Sequence, residues 1–254
     1  MNNLPIVGII AEYNPFHNGH AYQINKIKQL LPNCRIIAVM SGDFTQRGLP
    51  ALLDKWNRAA LAVQNGVDLV IELPFHFACR SAEWFAQGGV GILNALAIVD
   101  YLAFGAECSS PEQLQQLATE LARPACADQI KQHMKTGCSY PKALQQSICN
   151  PELVNILRQP NNILAIEYLK QLQTLRSPLR PLSIVRSGSD YHDTAITGRI
   201  ASATALREHL RTTGLSPEIQ NALPESVHAA IVDCYHADSL VLDTERLSSL
   251  AVYQ

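Results

Sequence analysis

The hydrophobic and polar positions of the first hundred residues follow two alternating patterns. Short apolar runs at residues 5–11, 35–40, 68–73 and 101–104 have the length and composition of buried β-strands. Between them, residues 20–31, 56–64 and 81–96 place apolar side chains at helical spacing. This alternation predicts an α/β fold with a parallel sheet covered by helices on both faces. Ligands of such sheets bind outside the carboxyl ends of the strands.

The alternation stops after residue 110. Residues 111–175 are rich in Gln and Leu and predict several helices without a strand. Residues 182–185 predict one further strand, and residues 202–210 and 217–223 predict short helices. We therefore expect one domain over residues 1–212, with a helical insertion at about 109–175, followed by a helical segment over 213–254.

The composition and charge of the chain limit which class of protein it can be and which partners it can bind. Hydrophobic residues make up 47% of the chain and charged residues 17%, which is typical of a globular protein. The formal net charge is −2, so a nucleic-acid partner would need a local basic patch. Neither a cationic leader nor an apolar run of about 18 residues occurs, which argues against a membrane protein. The seven cysteines lack a CxxC pair, so we expect reduced thiols and a cytoplasmic protein.

The strongest chemical signal is the segment GIIAEYNPFHNGH over residues 8–20, between the first strand and the first helix. Its histidines, His17 and His20, flank Asn18 and Gly19 where the helix begins. A helix N-terminus attracts anions, a glycine allows a phosphate to approach the backbone, and imidazole N–H groups can donate to phosphate oxygens. The pattern therefore predicts a phosphate site for nucleotidyl or phosphoryl transfer. Two helix-capping histidines are the alternative, and we predict no metal site because further ligands are lacking.

The same segment resembles the HIGH motif of the nucleotidyltransferase superfamily. The longer string AEYNPFHNGH, over residues 11–20, is similar to the tRNA(Met) cytidine acetate ligase family in particular. The likeness continues through MSGDFTQRGLPA at 40–51, DKW at 54–56, NGVDLVIELP at 65–74, FG at 104–105, NNILAIEY at 161–168, RSGSDYH at 186–192 and ASATALR at 201–207. It implies a Rossmann-like parallel sheet of the HIGH nucleotidyltransferase type, with a helical insertion and a helical C-terminal segment.

The resemblance also implies an activity. Acetate attacks the α-phosphorus of ATP, which gives acetyl-adenylate and pyrophosphate. The acetyl group then passes to N4 of the wobble cytidine of elongator tRNA(Met), giving N4-acetylcytidine. ATP is expected to arrive with Mg²⁺, and no protein partner is predicted. The family carries a further C-terminal region, so we expect this chain to be either a truncated or a shorter member.

The residues implied to act are those that match the family motifs. His17 and His20 are expected to contact the triphosphate and stabilise the transition state. The other nucleotide contacts are expected at Ile10, Ala11, Glu12, Tyr13, Asn14, Pro15, Phe16, Asn18, Gly19, Gly105, Asn162, Arg186, Ser202 and Thr204, with Arg207 beside them.

Several of these positions have a second interpretation. Tyr13 and Phe16 could pack in the core, and Gly105 could serve a plain turn after the fourth strand. Asn161 is as good a candidate as Asn162, Arg186 could form a surface salt bridge, and Ser202 could cap a helix. Asp43, Gln46, Arg47, Lys55 and Arg58 could line the acetate or tRNA side or form a solvated loop, and Asp190 and His192 could form an acid–base pair.

Two other functions remain open from the sequence. One is a small-molecule adenylyltransferase that makes nucleotide cofactors. The other is a non-catalytic module that binds nucleotide or RNA.

Overall fold

A five-stranded parallel sheet forms the centre of the computed structural model, which describes residues 4–108, 110–148, 151–186, 196 and 198–243. The strand order is β3-β2-β1-β4-β5. The strands are β1 (Ile6–Ala11), β2 (Arg35–Ser41), β3 (Leu69–Leu73), β4 (Tyr101–Ala106) and β5 (Arg180–Val185). The chain runs outward from β1 through β2 to β3 and then returns to the other side of β1 with β4. This reversal between β1 and β4 opens a crevice at the carboxyl edge of the sheet, where ligands of doubly wound folds bind.

Helices cover both faces of the sheet, as the sequence predicted. In the first half they are α1 (Asn18–Leu30), α2 (Lys55–Gln64), α3 (Phe75–Ala78) and α4 (Ala82–Ala95). The insertion contains α5 (Pro111–Leu121), α6 (Pro124–Lys135), α7 (Tyr140–Gln146), α8 (Pro151–Ile156) and α9 (Pro160–Thr174). The last described part contains α10 (Ala203–Thr212), α11 (Pro217–Ala222) and α12 (Glu225–His236).

Each face of the sheet has its own hydrophobic core. On one face, strand residues such as Val39 and Phe104 pack against α4 and the helices of the insertion. On the other, Ile9 and its neighbours pack against α1, α2 and α10 to α12. Gly89 of α4 brings that helix close to β1, because a Cβ there would lie 2.7 Å from Cδ1 of Ile10.

The structure confirms the α/β fold class and differs from the predicted elements mainly at their ends. Gly105 lies inside β4 rather than after it, because the strand continues to Ala106 and pairs there with Val185. The tail at 247–254, predicted as a helix, lies outside the described residues. Six of the seven cysteines are described, and all six are free thiols. Within the described part, no helix combines the length and hydropathy that a bilayer span requires.

Candidate nucleotide site

A cavity of about 390 Å³ lies at the carboxyl edge of the sheet, in the crevice between β1 and β4. Ile10 to Asn14 line it from the end of β1 and the loop that follows. Gly105 lines it from β4, and Arg186 lines it just after β5. The first turns of α1 and α10 contribute His17, His20, Ser202 and Thr204. Two helix N-termini therefore meet at one cavity, and both favour a bound anion.

His17 and His20 are fixed by hydrogen bonds to the backbone. Nδ1 of His17 accepts from the N–H of Gly19 at 3.0 Å. Nδ1 of His20 accepts from the N–H of His17 at 3.2 Å. The two rings lie nearly parallel, with their centroids 3.8 Å apart. Because each Nδ1 is an acceptor, the proton of each neutral ring is on Nε2, which leaves two Nε2–H donors.

Both rings are neutral at physiological pH. Burial, together with the smaller effect of the nearby charges of Arg186 and Arg207, lowers the pKa of His17 to about 3. The pKa of His20 also lies well below its usual value, first because of burial and then because of His17 and Arg186. His17 is buried, and His20 keeps a partly exposed surface. The site therefore presents two neutral N–H donors among cationic side chains.

Gly19 makes room for the imidazole of His17. A Cβ at this position would lie 2.7 Å from Cε1 and 2.9 Å from Nδ1 of that ring. The glycine was predicted to let a phosphate approach the backbone. The structure shows that its missing side chain is also what allows His17 to cap the helix.

The loop after β1 is held by contacts to distant parts of the chain. Oδ1 of Asn14 accepts from the N–H of Leu52 at 2.7 Å. The backbone carbonyl of Asn14 accepts from Nη1 of Arg207 at 2.6 Å. Tyr13 adopts a left-handed backbone conformation with φ of 48°, and the Asn14–Pro15 peptide bond is cis. Tyr13 and Phe16 are both buried, and each ring contacts His20.

The residues of this segment divide into two groups. Ile10, Ala11, Glu12, Tyr13 and Asn14 line the cavity. Pro15, Phe16, Asn18 and Gly19 do not line it, and some of them fix the start of α1. Nδ2 of Asn18, for example, donates to the carbonyls of Arg199 and Asn221 at 2.8 and 2.9 Å.

The cavity is cationic although the chain as a whole is slightly acidic. Arg47, Arg186, Arg207 and Arg211 line it, against two carboxylates, Glu12 and Glu208. Arg211 pairs with Glu208 at 2.6 Å. Arg186 forms no ion pair with any other residue of the described ranges. An excess of two positive charges suits a polyphosphate.

Ser202 and Thr204 lie at the start of α10. Oγ of Ser202 accepts from the N–H of Ala205 at 3.0 Å, so this serine is a helix cap as well as a lining residue. Oγ1 of Thr204 accepts from Nη2 of Arg207 at 3.3 Å. Ser202 therefore combines the two roles that the sequence left open.

Gly105, in β4, lies close to Arg186, the residue that follows β5. The N–H of Arg186 donates to the carbonyl of Ala106 at 3.0 Å. A Cβ at Gly105 would lie 3.3 Å from Cγ of Arg186, so the bare backbone of β4 leaves space for this arginine.

Asn161 and Asn162, at the start of α9, have different surroundings. Asn161 lines the cavity, and its Nδ2 donates to the carboxylate of Glu107. Asn162 is buried outside the lining, where Oδ1 accepts from the N–H groups of Glu107 and Cys108 and Nδ2 donates to the carbonyl of Ile156. The structure thus places Asn161 on the cavity wall, whereas the resemblance implied Asn162.

Three of the weaker candidates do not line the cavity. Arg58 is almost fully buried and donates to four backbone carbonyls, those of Glu12, Ser41, Gly42 and Leu53. The prediction that Arg58 faces a substrate or solvent is therefore wrong. Lys55 pairs with Glu72 at 2.8 Å, and Asp43 accepts from the N–H of Lys55.

Other candidates are either at the cavity or outside the description. Gln46 and Arg47 do line the cavity, while Asp190 and His192 lie outside the described residues. Sequence reasoning missed further lining residues. Some lie within segments that match the family, namely Thr45, Leu49 and Tyr168, and others lie outside them, namely Gln23, Glu208, Arg211, Val241 and Leu242.

Comparison with known proteins gives consistent matches. The sequence model of the HIGH Nucleotidyl Transferase family matches residues 4–254. A tRNA(Met) cytidine acetate ligase of Alkaliphilus metalliredigens (strain QYMF) is 42% identical over 249 residues, which are 92% of this chain and 59% of that protein. The chain spans about three-fifths of the length of the curated relatives it matches.

Two crystal structures of Thermotoga maritima TmcAL share the fold. The apo form superposes with a TM-score of 0.85 at 36% identity, over 92% of this chain and 57% of that one. The form bound with alpha-thio ATP superposes with a TM-score of 0.84 at 34% identity, over 93% of this chain and 57% of that one.

Proposed function

Because this chain belongs to the HIGH nucleotidyl transferase family, we propose that its cavity binds ATP and activates acetate for transfer to the wobble cytidine of tRNA(Met). The matches confirm the resemblance to tRNA(Met) cytidine acetate ligases. One relative of known structure binds alpha-thio ATP. The observation that carries the proposal is the pair of fixed Nε2–H donors of His17 and His20 in a cationic cavity.

The donor set fits a triphosphate. Positive potential comes from the Nε2–H groups, from the N-termini of α1 and α10, and from the guanidinium of Arg186. Among the described residues, Arg186 has no buried acidic partner. We infer that Mg²⁺ accompanies ATP and is held mainly by phosphate oxygens and water, as is common for this cation.

The neutral state of the histidines fits the first step. Acetate is already ionised at neutral pH, so the reaction needs no general base. An acetate oxygen forms a bond to the α-phosphorus, the bond from that phosphorus to the bridging oxygen breaks, and pyrophosphate leaves. Charge grows on the phosphate oxygens, where N–H donors stabilise the transition state. His17 and His20 would act as hydrogen-bond donors that do not change protonation state.

The second step follows from the reactivity of the product. The N4 amino group of cytidine is a weak nucleophile, because its lone pair is delocalised into the ring. It attacks the acetyl carbonyl of the mixed anhydride, AMP leaves, and N4 loses a proton. A base in an anticodon loop can be unstacked at lower cost than a base in a duplex.

The first test is acetate-dependent exchange of labelled pyrophosphate into ATP. The wild-type chain should exchange with acetate, and His20→Ala should lose about 100-fold or more in rate. His236→Ala, which changes an exposed histidine at the end of α12, is the matched control and should keep full activity. Exchange that responds to phosphorylated metabolites and not to acetate would favour the small-molecule adenylyltransferase instead.

The second test measures the complete reaction. Mass spectrometry of tRNA(Met) should show N4-acetylcytidine at the wobble position only when ATP and acetate are both present. The assay is run with this chain and with a version extended to the length of its relatives. Unchanged acetylation by His20→Ala would contradict the role of the histidine pair.

A further inference from the structure

Exposed and half-buried aromatic side chains lie beside the cavity, outside the site described above. They lie on the loop after β2, the start of α2, and the segment from α3 to α4. We call this cluster the aromatic surface, and its members are Phe44, Trp56, Phe75 and Trp84, with the cations Lys55 and Arg80. Because β2 and β3 are parallel, these connections all leave the sheet at the carboxyl edge, the edge that holds the cavity.

Two rings of the aromatic surface are exposed, and the other two, Phe44 and Trp84, are half-buried. Trp56 is 75% exposed and Phe75 is 65% exposed. Phe44 and Phe75 meet edge to face, with centroids 5.7 Å apart. The guanidinium of Arg80 lies 3.5 Å from the ring centre of Trp84, and the ammonium of Lys55 lies 5.3 Å from that of Trp56. Arg80 forms no ion pair within the described part of the chain.

This exposure contrasts with that of three phenylalanines elsewhere in the chain. The chain has only two tryptophans, and both belong to the aromatic surface. Phe16, Phe85 and Phe104 are by contrast buried in the two cores. Large exposed apolar groups that form a contiguous patch mark a binding surface more often than a structural need.

One loop joins the aromatic surface to the cavity. Phe44 and Pro50 form an isolated bridge across this loop. Gln46, between them, lines the cavity, where its N–H donates to the carboxylate of Glu12 at 2.7 Å. The side-chain amide nitrogen of Gln46, Nε2, donates to the carbonyl of Arg80. A ligand that entered the cavity from this side would therefore pass the aromatic surface.

We propose that the aromatic surface stacks unpaired bases of a single-stranded RNA loop. This inference rests on the proposed function and assigns the RNA side of that site. Single-stranded RNA is bound by stacking of bases on aromatic rings and on arginine planes, with cations near the phosphates. When the target cytidine leaves the loop to reach the cavity, its neighbours lose stacking partners, and these rings can replace them. The cations stacked on the rings favour RNA over an apolar protein partner.

Intrinsic tryptophan fluorescence tests the contact directly, because both fluorophores lie in the proposed surface. An anticodon stem-loop RNA should quench the emission, and a blunt RNA duplex of the same length should not. The variant Trp56→Phe, which leaves Trp84 as the single fluorophore, should retain RNA binding. Quenching by the stem-loop should persist when pyrophosphate exchange is blocked by omitting acetate.

Substitutions measure the contribution to binding. Phe75→Ala and Trp56→Ala should each weaken affinity for the stem-loop by about 5- to 150-fold, the range measured for loss of one base-stacking ring. Ile98→Ala is the matched control, because Ile98 is 55% exposed and precedes β4 at the opposite edge of the sheet. All three variants change exposed side chains, and thermal melting should show that each is folded.

The outcomes separate this inference from the proposed function. Acetate-dependent pyrophosphate exchange contains no RNA, so it should be equal in wild type, Phe75→Ala and Trp56→Ala. If wild type lacks exchange but the stem-loop quenches fluorescence, the proposed function fails and the RNA surface stands. Unchanged fluorescence and unchanged RNA affinity would overturn the inference. Dimers in wild type that dissociate in Trp56→Ala, with RNA affinity unchanged, would assign the surface to self-association and also overturn it.

Discussion

Replacement of Gly19 by alanine tests whether the position of His17 controls activity. The added Cβ would lie 2.7 Å from Cε1 of the imidazole, and ordinary contact begins at 3.4 Å. The ring must therefore retreat by about 0.7 Å, which would break the 3.0 Å bond between its Nδ1 and the N–H of residue 19. Loss of a helix cap costs about 1 kcal/mol of the free energy of unfolding. Misplacement of a catalytic donor by about 1 Å can lower the rate about 100-fold.

The control is a glycine whose substitution meets no contact. Gly91, inside α4, has no atom within 4 Å of an added Cβ. Gly91→Ala should stabilise the chain by up to about 1 kcal/mol through helix propensity and leave activity unchanged. Activity is measured as acetate-dependent pyrophosphate exchange, and stability by urea denaturation. If Gly19→Ala and Gly91→Ala were equally active, the contact between Gly19 and His17 would have no role in positioning the donor.

Three further predictions follow from the site. The folded-state pKa of His17, about 3, lies below its unfolded value of 6.5, so the unfolded chain takes up the proton first. The stability that the neutral ring contributes is therefore present above pH 6.5 and is lost as the pH falls towards 3. For this ring the loss between pH 7 and pH 5.5 is about 1 kcal/mol. Urea denaturation curves of His17→Gln should lack that part of the pH dependence. Arg186→Met should raise KM for ATP by about 10-fold or more through loss of charge-assisted hydrogen bonds. The control is Arg180→Met, which should leave KM unchanged, because Arg180 lies at the opposite end of β5 and stacks on Tyr101. Arg58→Met should lower the free energy of unfolding by about 3 kcal/mol or more, because three buried carbonyls and one half-buried carbonyl lose their donor. A loss below about 1 kcal/mol in urea denaturation would show that these carbonyls find other partners.

The sequence predicted the sheet because its strands are apolar runs with clear ends. The same argument located the cavity, since the motif at 8–20 lies between the first strand and the first helix. It did not decide between Asn161 and Asn162, because adjacent helix positions point about 100° apart and only the packing of α9 selects one. The prediction for Arg58 failed for a related reason, since its acceptors are backbone carbonyls after β1, at the end of β2 and before α2, and backbone carbonyls leave no sequence pattern.

The sequence also did not predict which residues distant in the chain line the cavity. Val241 reaches the cavity because its N–H donates to the carbonyl of Leu52 at 3.0 Å. Tyr168 reaches it from α9 of the helical insertion. Val241 belongs to no motif, and Tyr168 ends the segment NNILAIEY without a group that indicates a phosphate contact, so only tertiary structure brings both to the site.

The amide of Asn18 has a consequence for how the protein is made. It joins the first turn of α1 to carbonyls at residues 199 and 221, which lie 181 and 203 positions further along the chain. On a ribosome, β1 and α1 emerge early, but their partners emerge only when most of these residues have been translated. Strands β1 to β4 can therefore pair before these carbonyls have been made, whereas β5, at Arg180–Val185, emerges only shortly before the first of them. A polypeptide released prematurely at residue 215 would keep the acceptor at residue 199 but lack the one at residue 221, so the start of α1 would lose one of these two bonds.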